Sequence, residues 1–149
     1  IWISGIGQKT NSASFTKNEL TTLSSSVISA NDAYKMAKIT SQEIDVAEIH
    51  DAFSVCELMA VEDLSLTEKN TGAEYVRNLF NTEDRKINPR GGLIGAGHPL
   101  GATGISQITE VVQQLQNNAK SRQISNAKMG LVHNMSAAAT SSSVLVLES

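Results

Sequence analysis

The stretch NPRGGLIGAGHPLGATG, residues 88–104, constrains the fold of this chain more than any other segment. It holds six of the ten glycines, both prolines and one of the three histidines. Glycine lets the backbone take positive φ or approach another group closely, and Pro99 restricts the conformation of His98 before it. The stretch leads into a helix N-terminus, which favours anions. It therefore predicts a stiff loop that presents one imidazole, with a purely structural loop as the plainer interpretation.

The motifs and the composition also exclude several classes of function. The Walker lysine and the GxGxxG spacing are both absent, which disfavours a phosphate cradle. The net charge is −3 without a basic run, so neither nucleic acid nor an anionic membrane surface is an expected partner. The apolar runs are too short to span a bilayer. A single cysteine, Cys56, predicts a reducing compartment and a cytoplasmic protein.

The length and the pattern of apolar residues predict one α/β domain. A chain of 149 residues has the usual size of a single domain, here taken as residues 1–149. It opens at Ile1 on an apolar strand-like run without a methionine, so we expect it to be part of a longer protein. The element order favours helices packed on a largely parallel sheet with an added antiparallel edge.

The individual elements follow from spacing and from capping residues. IWISGIG and EIDVAEI predict strands, as do MGLVHNM and SVLVLES, which we expect to pair as neighbours. One helix is predicted from Asn31, and another after a cap at Asp51 or Ser54 with Phe53 on its buried side. Further helices are predicted around Tyr75 to Phe80 and over residues 104–117, and a short helix is possible near Leu20 and Leu23.

Three blocks of the chain resemble the thiolase family. The glycine-rich stretch is similar to the thiolase signature GHPxGxTG. EIHDAF, residues 48–53, resembles the second block in the His-Asp form of sterol-carrier-protein-type and archaeal thiolases. GLVHNMSAAATSSSVLVLE resembles the last block, His-Asn-x-Gly-Gly. The resemblance covers essentially the whole chain, and it implies the C-terminal half of a thiolase, with a layered α/β fold and a five-stranded mixed sheet.

The resemblance also implies roles for individual residues. His98 matches the histidine that activates a nucleophilic cysteine and helps to form an oxyanion hole. His50 stands where other members have an asparagine or a histidine that serves the same hole, and an imidazole suits either task. The matching blocks imply substrate contacts at six further positions, which are Phe53, Gly97, Pro99, Gly101, Asn134 and Ser136.

The chain departs from the family pattern in its cysteines and glycines. The nucleophilic cysteine belongs to the N-terminal half of a thiolase, so this chain does not contain it. The second cysteine, the family's acid/base, is replaced by Ala52 in one block and by Asn134 in the other. Cys56 lies one helical turn further along and is interpreted as a small buried hydrophobe. Ser136 and Ala137 replace glycines whose N–H groups approach the substrate.

These observations leave three hypotheses. The first is an enzyme that transfers acyl groups between coenzyme A thioesters, needs no cofactor and acts as a homo-oligomer together with its N-terminal half. The second is an inactive thiolase-like subunit that binds acyl-CoA or scaffolds a partner such as hydroxymethylglutaryl-CoA synthase. The third is a metal site of His50, His98 and His133, which is disfavoured because no carboxylate lies at metal spacing. His133 is better explained as a hydrogen-bonded core or interface histidine.

Overall fold

The computed structural model describes residues 1–14, 17, 19–82 and 85–149. Within them, strands and helices alternate over the first four elements, and two strands close the chain after a run of helices. The elements are β1 (Trp2–Thr10), α1 (Ser24–Ala37), β2 (Val46–Glu48), α2 (Ser54–Asp63), α3 (Gly72–Phe80), α4 (Gly92–Ala96), α5 (Thr103–Leu115), β3 (Met129–Met135) and β4 (Ser141–Glu148). In this part of the chain, no helix is long and apolar enough to cross a membrane.

The sheet is mixed, and its described strands number four rather than the expected five. Their order is β1-β4-β3-β2. Only β2 and β3 are parallel, while β4 is antiparallel to both β1 and β3, so the expectation of a largely parallel sheet is wrong. A single bridge joins Ile87 to Ala47 at the β2 edge. Asn88 follows with φ at 49°, and Pro89 comes next, so the extended segment ends after one residue.

Helix α1 packs on β1 and β4, on one face of the sheet. The contact is close because Gly5 and Gly7 carry no side chain on that face. A Cβ at Gly7 would lie 1.8 Å from the carbonyl oxygen of Ser29, and one at Gly5 would lie 2.2 Å from that of Ala33. The core between this face and helices α1, α2 and α3 includes Ala33, Ile49, Val61, Leu64, Val76, Leu131, Val144 and Val146.

Helix α5 covers β2 and β3 on the opposite face. Gly130 of β3 makes room for it, because a Cβ there would lie 2.2 Å from Cγ1 of Val111. The second core cluster forms between them, from Val46, Val111, Leu115, Ile124, Ala127, Val132 and Leu147. The sheet therefore lies between two helical layers, which is the layered α/β arrangement expected from the sequence.

The largest correction to the helix bounds concerns α1, which begins at Ser24 instead of Asn31. Its first two turns contain Ser25, Ser26 and Ser29, and all three are fully buried. Their hydroxyl groups bond to the Ala139 carbonyl, to the His133 ring and to the Ser142 carbonyl. Serine hydroxyls are paired here inside the fold, whereas in sequence they suggest a loop.

The α2 and glycine-rich regions also differ from the sequence predictions. Phe53 is the N-cap residue of α2 and is 71% exposed, so its expected burial is wrong. Neither Asp51 nor Ser54 caps the helix through its side chain. The glycine-rich stretch contains the short helix α4, which spacing did not predict. Helix α5, Thr103–Leu115, agrees with the predicted helix 104–117 to within two residues at each end.

Candidate active site

A cleft of about 570 Å³ opens between the glycine-rich loop, the start of α2 and the link from β3 to β4. It is lined by His50, Ala52, Phe53, His98, Leu100, Asn134, Met135, Ser136, Ala137, Ser141 and Ser143. Five of the eight predicted site residues thus share one cavity. Gly97, Pro99 and Gly101 lie on the loop beside His98, are exposed, and do not line this cavity.

Thr103, at the start of α5, fixes the proton position on His98. The Thr103 hydroxyl donates its hydrogen to the carbonyl of Pro99 at 3.1 Å. It therefore accepts at Oγ1 from the Nδ1–H of His98, at 2.7 Å. This leaves Nε2 of His98 with a free lone pair, which is the form required of a general base. Thr103 is 1% exposed, so the contact is shielded from water.

We expect Thr103→Val to loosen this tautomer, because valine keeps the shape but cannot accept from Nδ1–H. Thr103→Ser should keep both hydrogen bonds and serves as the matched control. The imidazole ¹⁵N shifts of His98 report which nitrogen carries the proton. The valine variant should also lose about 1 kcal/mol of stability for the missing hydrogen bonds. Identical ¹⁵N shifts in all three proteins would show that Thr103 does not set the tautomer.

His50 follows β2 and packs against His98. The two ring centroids lie 5.0 Å apart, with the ring planes at 89°, an edge-to-face contact. Burial, and secondarily the nearby His98, lower the pKa of His50 to about 4. Its Nδ1 is buried and has no hydrogen-bond partner among the described residues. His50 is therefore a neutral imidazole at pH 7, and a neutral imidazole acts as a donor more readily than as a strong base.

His133 lies in β3, is fully buried and contacts the backbone of His50. Its Nδ1 accepts the backbone N–H of His50 over a long 3.5 Å, and its Nε2 lies 2.9 Å from Oγ of Ser26. Since Nδ1 is an acceptor, Nε2 carries the hydrogen and donates to Ser26. Burial, and secondarily His50, lower the pKa of His133 to about 3. His133 is thus a hydrogen-bonded core histidine in contact with the site.

The low pKa of His133 predicts a loss of stability in acid. An unfolded chain protonates this histidine below about pH 6.5 whereas the fold keeps it neutral, so stability falls as the pH drops through this range. His133→Gln keeps an acceptor and a donor but does not titrate. The stability advantage of wild type over this variant should therefore shrink by about 1.4 kcal/mol per pH unit between about pH 6 and 4. Urea unfolding at several pH values measures the difference, and a constant difference contradicts the prediction.

Asp51 anchors the glycine-rich loop. It is 3% exposed, and its Oδ1 accepts the backbone N–H of Leu93 at 2.6 Å. A Cβ at Gly92 would lie 2.1 Å from Oδ2 of Asp51, and Gly92 has φ at 62°. Both the close approach and the backbone conformation therefore require glycine at this position. The acidic residue next to His50 thus ties the loop to the end of β2.

A buried ion pair forms a second anchor. Nε of Arg90 donates to Oε2 of Glu48 at 2.9 Å, and its Nη1 donates to Oγ of Ser106 in α5. Glu48 is fully buried, and burial raises its pKa to about 7 despite the opposing effect of Arg90. The pair joins the start of the loop to β2 and α5, the two elements next to His50 and His98. Sequence analysis missed it.

Asn134 and the cysteine complete the surroundings. Nδ2 of Asn134 donates to Oε1 of Gln107, and Nε2 of this buried glutamine donates to the carbonyl of His133. Cys56 is a free, half-buried thiol that packs against the core but does not line the cleft. Among the residues described, no group of three or more His, Cys, Asp or Glu side chains is arranged to hold a metal ion.

The sequence of this chain is similar to those of proteins from one family. The family model "Thiolase C-terminal domain-like" matches residues 7–149. An acetyl-CoA acetyltransferase of Methanothermobacter thermautotrophicus is 44% identical over 80% of this chain, which spans 32% of that protein. Human sterol carrier protein 2 is 45% identical over 71% of this chain, which spans 20% of that protein.

A solved structure matches the fold at lower identity. A chain of the Ltp2-ChsH2(DUF35) aldolase superposes with a TM-score of 0.85 at 18% identity, covering 99% of this chain and 39% of the other. This likeness concerns the fold alone. The whole arrangement of sheet and helices described above therefore recurs as one part of a larger protein chain.

Proposed function

Because this chain belongs to the family of thiolase C-terminal domain-like proteins, we propose that it supplies the histidine half of an active site for acyl transfer between coenzyme A thioesters. The observation that carries the proposal is His98, held by Thr103 with a free Nε2 and packed edge-to-face on His50 in one cleft. The chain spans about a third of its archaeal relative. The remaining part of the site, a nucleophilic cysteine, is proposed to lie in an upstream half.

In the proposed cycle, His98 moves the proton at each step. Nε2 takes the proton of the upstream cysteine, and the thiolate attacks the 3-keto carbon of a 3-ketoacyl-CoA. The bond between C2 and C3 then breaks, giving an acyl-cysteine and an enolate that regains the proton as acetyl-CoA. Coenzyme A next loses its thiol proton to Nε2 and attacks the acyl-cysteine, which releases acyl-CoA and the cysteine. The reverse sequence is a Claisen condensation.

His50 is proposed to stabilise the negative oxygen that develops in these steps. A neutral imidazole donates an N–H without first being charged, and a donor in a buried site costs little reorganisation. His50 fits this task because it is 6% exposed and neutral at pH 7. We also propose that Phe53, Asn134 and Ser136, which line the cleft, contact the substrate there.

A second candidate function is a binding subunit that no longer turns over. It is favoured by Ala52 and Asn134, which line the cleft where a proton-transferring cysteine would be expected, while Cys56 lies outside it. Such a subunit would bind acyl-CoA or scaffold a partner such as hydroxymethylglutaryl-CoA synthase. The proposed cycle differs from it in needing an upstream cysteine that becomes acylated.

The test is alkylation of the complete protein by iodoacetamide, with and without acetyl-CoA, followed by peptide mapping. The enzyme proposal expects an upstream cysteine that reacts and that acetyl-CoA protects, together with thiolysis of acetoacetyl-CoA. Cys56 serves as the internal control, because burial raises the pKa of its thiol and acetyl-CoA should not change its reactivity. A protein with no protected cysteine and no thiolysis is instead a binding subunit.

An apolar surface on the sheet supports the proposal of an upstream half. Gly5 and Gly7 face α1, so alternation along β1 points Ile6 to the other face, next to Leu145 of β4. Ile6 is 48% exposed, and Ile3, which pairs with Leu147 on the same face, is 54% exposed. Covering such side chains would remove apolar area from water.

We expect the 149-residue chain, prepared alone, to associate with itself through this surface. Ile6→Lys should reduce the association measured by light scattering. Ile28→Lys, at an exposed position on α1, is the matched control and should not. A monodisperse monomer at high concentration would contradict the expectation. We also propose that the complete protein is a homo-oligomer and that it is cytoplasmic. The single cysteine of this chain is in keeping with the second of these proposals.

A further inference from the structure

A cavity of about 400 Å³ lies between helices α2, α3 and α4, and none of the described residues in its wall lines the cleft. Gly91, Ile94 and Gly95 of this wall belong to the loop that carries His98. Most of the wall is apolar, and its large apolar side chains are Leu58, Val76, Leu79, Phe80, Ile87 and Ile94. A cavity of this size and lining suits a small apolar molecule.

Asn88 brings an unpaired hydrogen-bond donor to this cavity. Its other polar groups are bonded: the backbone N–H donates to the Ala47 carbonyl, the backbone carbonyl accepts from Gly91, and Oδ1 accepts from the N–H of Ile49, each at 2.8 Å. Because Oδ1 accepts a backbone N–H, the orientation of the amide is determined. Asn88 is 8% exposed, and its buried Nδ2 has no hydrogen-bond partner among the described residues. An acceptor inside the cavity would satisfy this donor.

Glu57 of α2 brings a carboxyl group to the same cavity. Burial, and secondarily Asp51, raise the pKa of this carboxyl, and the nearby Asn88 side chain offsets only part of the rise. A ligand that donates a hydrogen bond to Glu57 would stabilise the charged carboxylate. The polar part of the wall therefore offers one donor and one acceptor to a ligand.

These two groups select a ligand that both accepts and donates. An anion would accept from Asn88 but would lie among the carboxyl groups of Asp51 and Glu57. The basic residue of the wall, Arg85, instead stacks over the Phe80 ring, with Cζ 5.1 Å from the ring centroid. An ammonium group would donate to Glu57 but would leave Nδ2 unpaired, because it has no lone pair. A hydroxyl group accepts from one and donates to the other.

We propose that this cavity binds a small apolar alcohol, whose hydroxyl group bridges Nδ2 of Asn88 and the carboxylate of Glu57 while its hydrocarbon part lies among the apolar side chains. Phe80 and Ile94 are 60% and 61% exposed and border the opening of the cavity. This site is separate from the cleft of His50 and His98, and it does not depend on the acyl transfer proposed above.

The test is the binding of four probes of equal carbon number to the complete protein, measured by isothermal titration calorimetry. 1-Octanol and heptyl methyl ether are isomers, but only the alcohol donates a hydrogen bond. 1-Octanol should bind at least about tenfold more tightly than the ether, because a hydrogen bond to a carboxylate is worth about tenfold in affinity or more. It should also bind more tightly than octylamine, which does not accept when charged, and than octanoate, which meets two carboxyl groups.

A substitution at Glu57 tests the polar end of the cavity. Glu57→Met keeps an unbranched side chain of similar length but removes the carboxylate. It should weaken 1-octanol binding to the level of the ether and change the affinity for the ether by less than about twofold. Glu74→Met is the matched control, because Glu74 is exposed on α3 and lies outside the cavity wall, and it should change neither affinity.

A second pair of variants locates the bound probe. Leu79→Trp places a larger side chain in the cavity and should abolish binding of both uncharged probes. Asn78→Trp adds the same side chain at the exposed neighbouring position and should leave both affinities unchanged. Unchanged 1-octanol binding by Leu79→Trp overturns the proposal, because the probe then binds elsewhere.

The wild-type measurements overturn the proposal without requiring any variant to fold. Equal affinities for 1-octanol and its isomeric ether do so, as does tighter binding of octylamine or octanoate. None of these measurements needs turnover. A complete protein that does not cleave acetoacetyl-CoA but prefers 1-octanol would therefore contradict the proposed acyl transfer and support the alcohol site.

Discussion

Replacing His98 by glutamine in the complete protein is expected to lower kcat for acetoacetyl-CoA thiolysis by about 10² to 10⁴-fold. Glutamine keeps a side chain of similar size in the loop but cannot take up a proton. In the proposed cycle the same Nε2 accepts the proton from the cysteine and from coenzyme A, so both half-reactions suffer. KM should change little, because an exposed imidazole contributes little to binding the rest of the thioester.

Two further measurements make this prediction specific. The upstream cysteine should react more slowly with iodoacetamide in His98→Gln, because its thiolate loses the partner that accepts its proton. His50→Asn, by contrast, keeps an N–H donor at the oxyanion and should retain more activity than His50→Ala, which removes it. If His98→Gln turned over like wild type, another group of the complete protein would have to be the base.

The sequence predicts well those parts of the fold that depend on local pattern. Short apolar runs bounded by polar residues predict strands, and β1, β3 and β4 lie where such runs occur. Strand order is different, because pairing β1 with β4 joins segments about 140 residues apart and no local spacing encodes it. The start of α1 was also hidden, since Ser25, Ser26 and Ser29 find hydrogen-bond partners only in the folded protein.

The candidate site divides in the same way. His98 and the loop that carries it follow from the glycine and proline positions, and Thr103 is five residues further on, within reach of sequence reasoning. The anchors are tertiary. Asp51 accepts a hydrogen bond from the backbone of Leu93, and Glu48 accepts one from Arg90. The two partners of each bond are 42 residues apart in the sequence, so no motif signals either contact. The replacement of glycine by Ser136 and Ala137 is visible in sequence, but the left-handed backbone of Ala138 and Ala139, which follow them, is not.

Gly7→Ala is expected to cause the largest loss of stability, about 3 kcal/mol or more, because the new methyl group meets backbone that cannot rotate away. Its Cβ would lie 1.8 Å from the carbonyl oxygen of Ser29 and 2.7 Å from the carbonyl carbon. Helix α1 would have to move off β1. This motion would also disturb the Ser26 contact to His133 and the Ser25 contact to the Ala139 turn.

Gly95→Ala is the matched control, since a Cβ there meets no heavy atom within 4 Å and alanine favours the helix in which it lies. Urea unfolding of both variants and of wild type compares their free energies of unfolding. Gly95→Ala should unfold within about 1 kcal/mol of wild type. Equal stability of the two variants would mean that α1 does not lie against β1 as described. A large loss confined to Gly7→Ala, with altered ¹⁵N shifts of His133, would show that the same helix contact that stabilises the sheet also positions the histidine beneath His50.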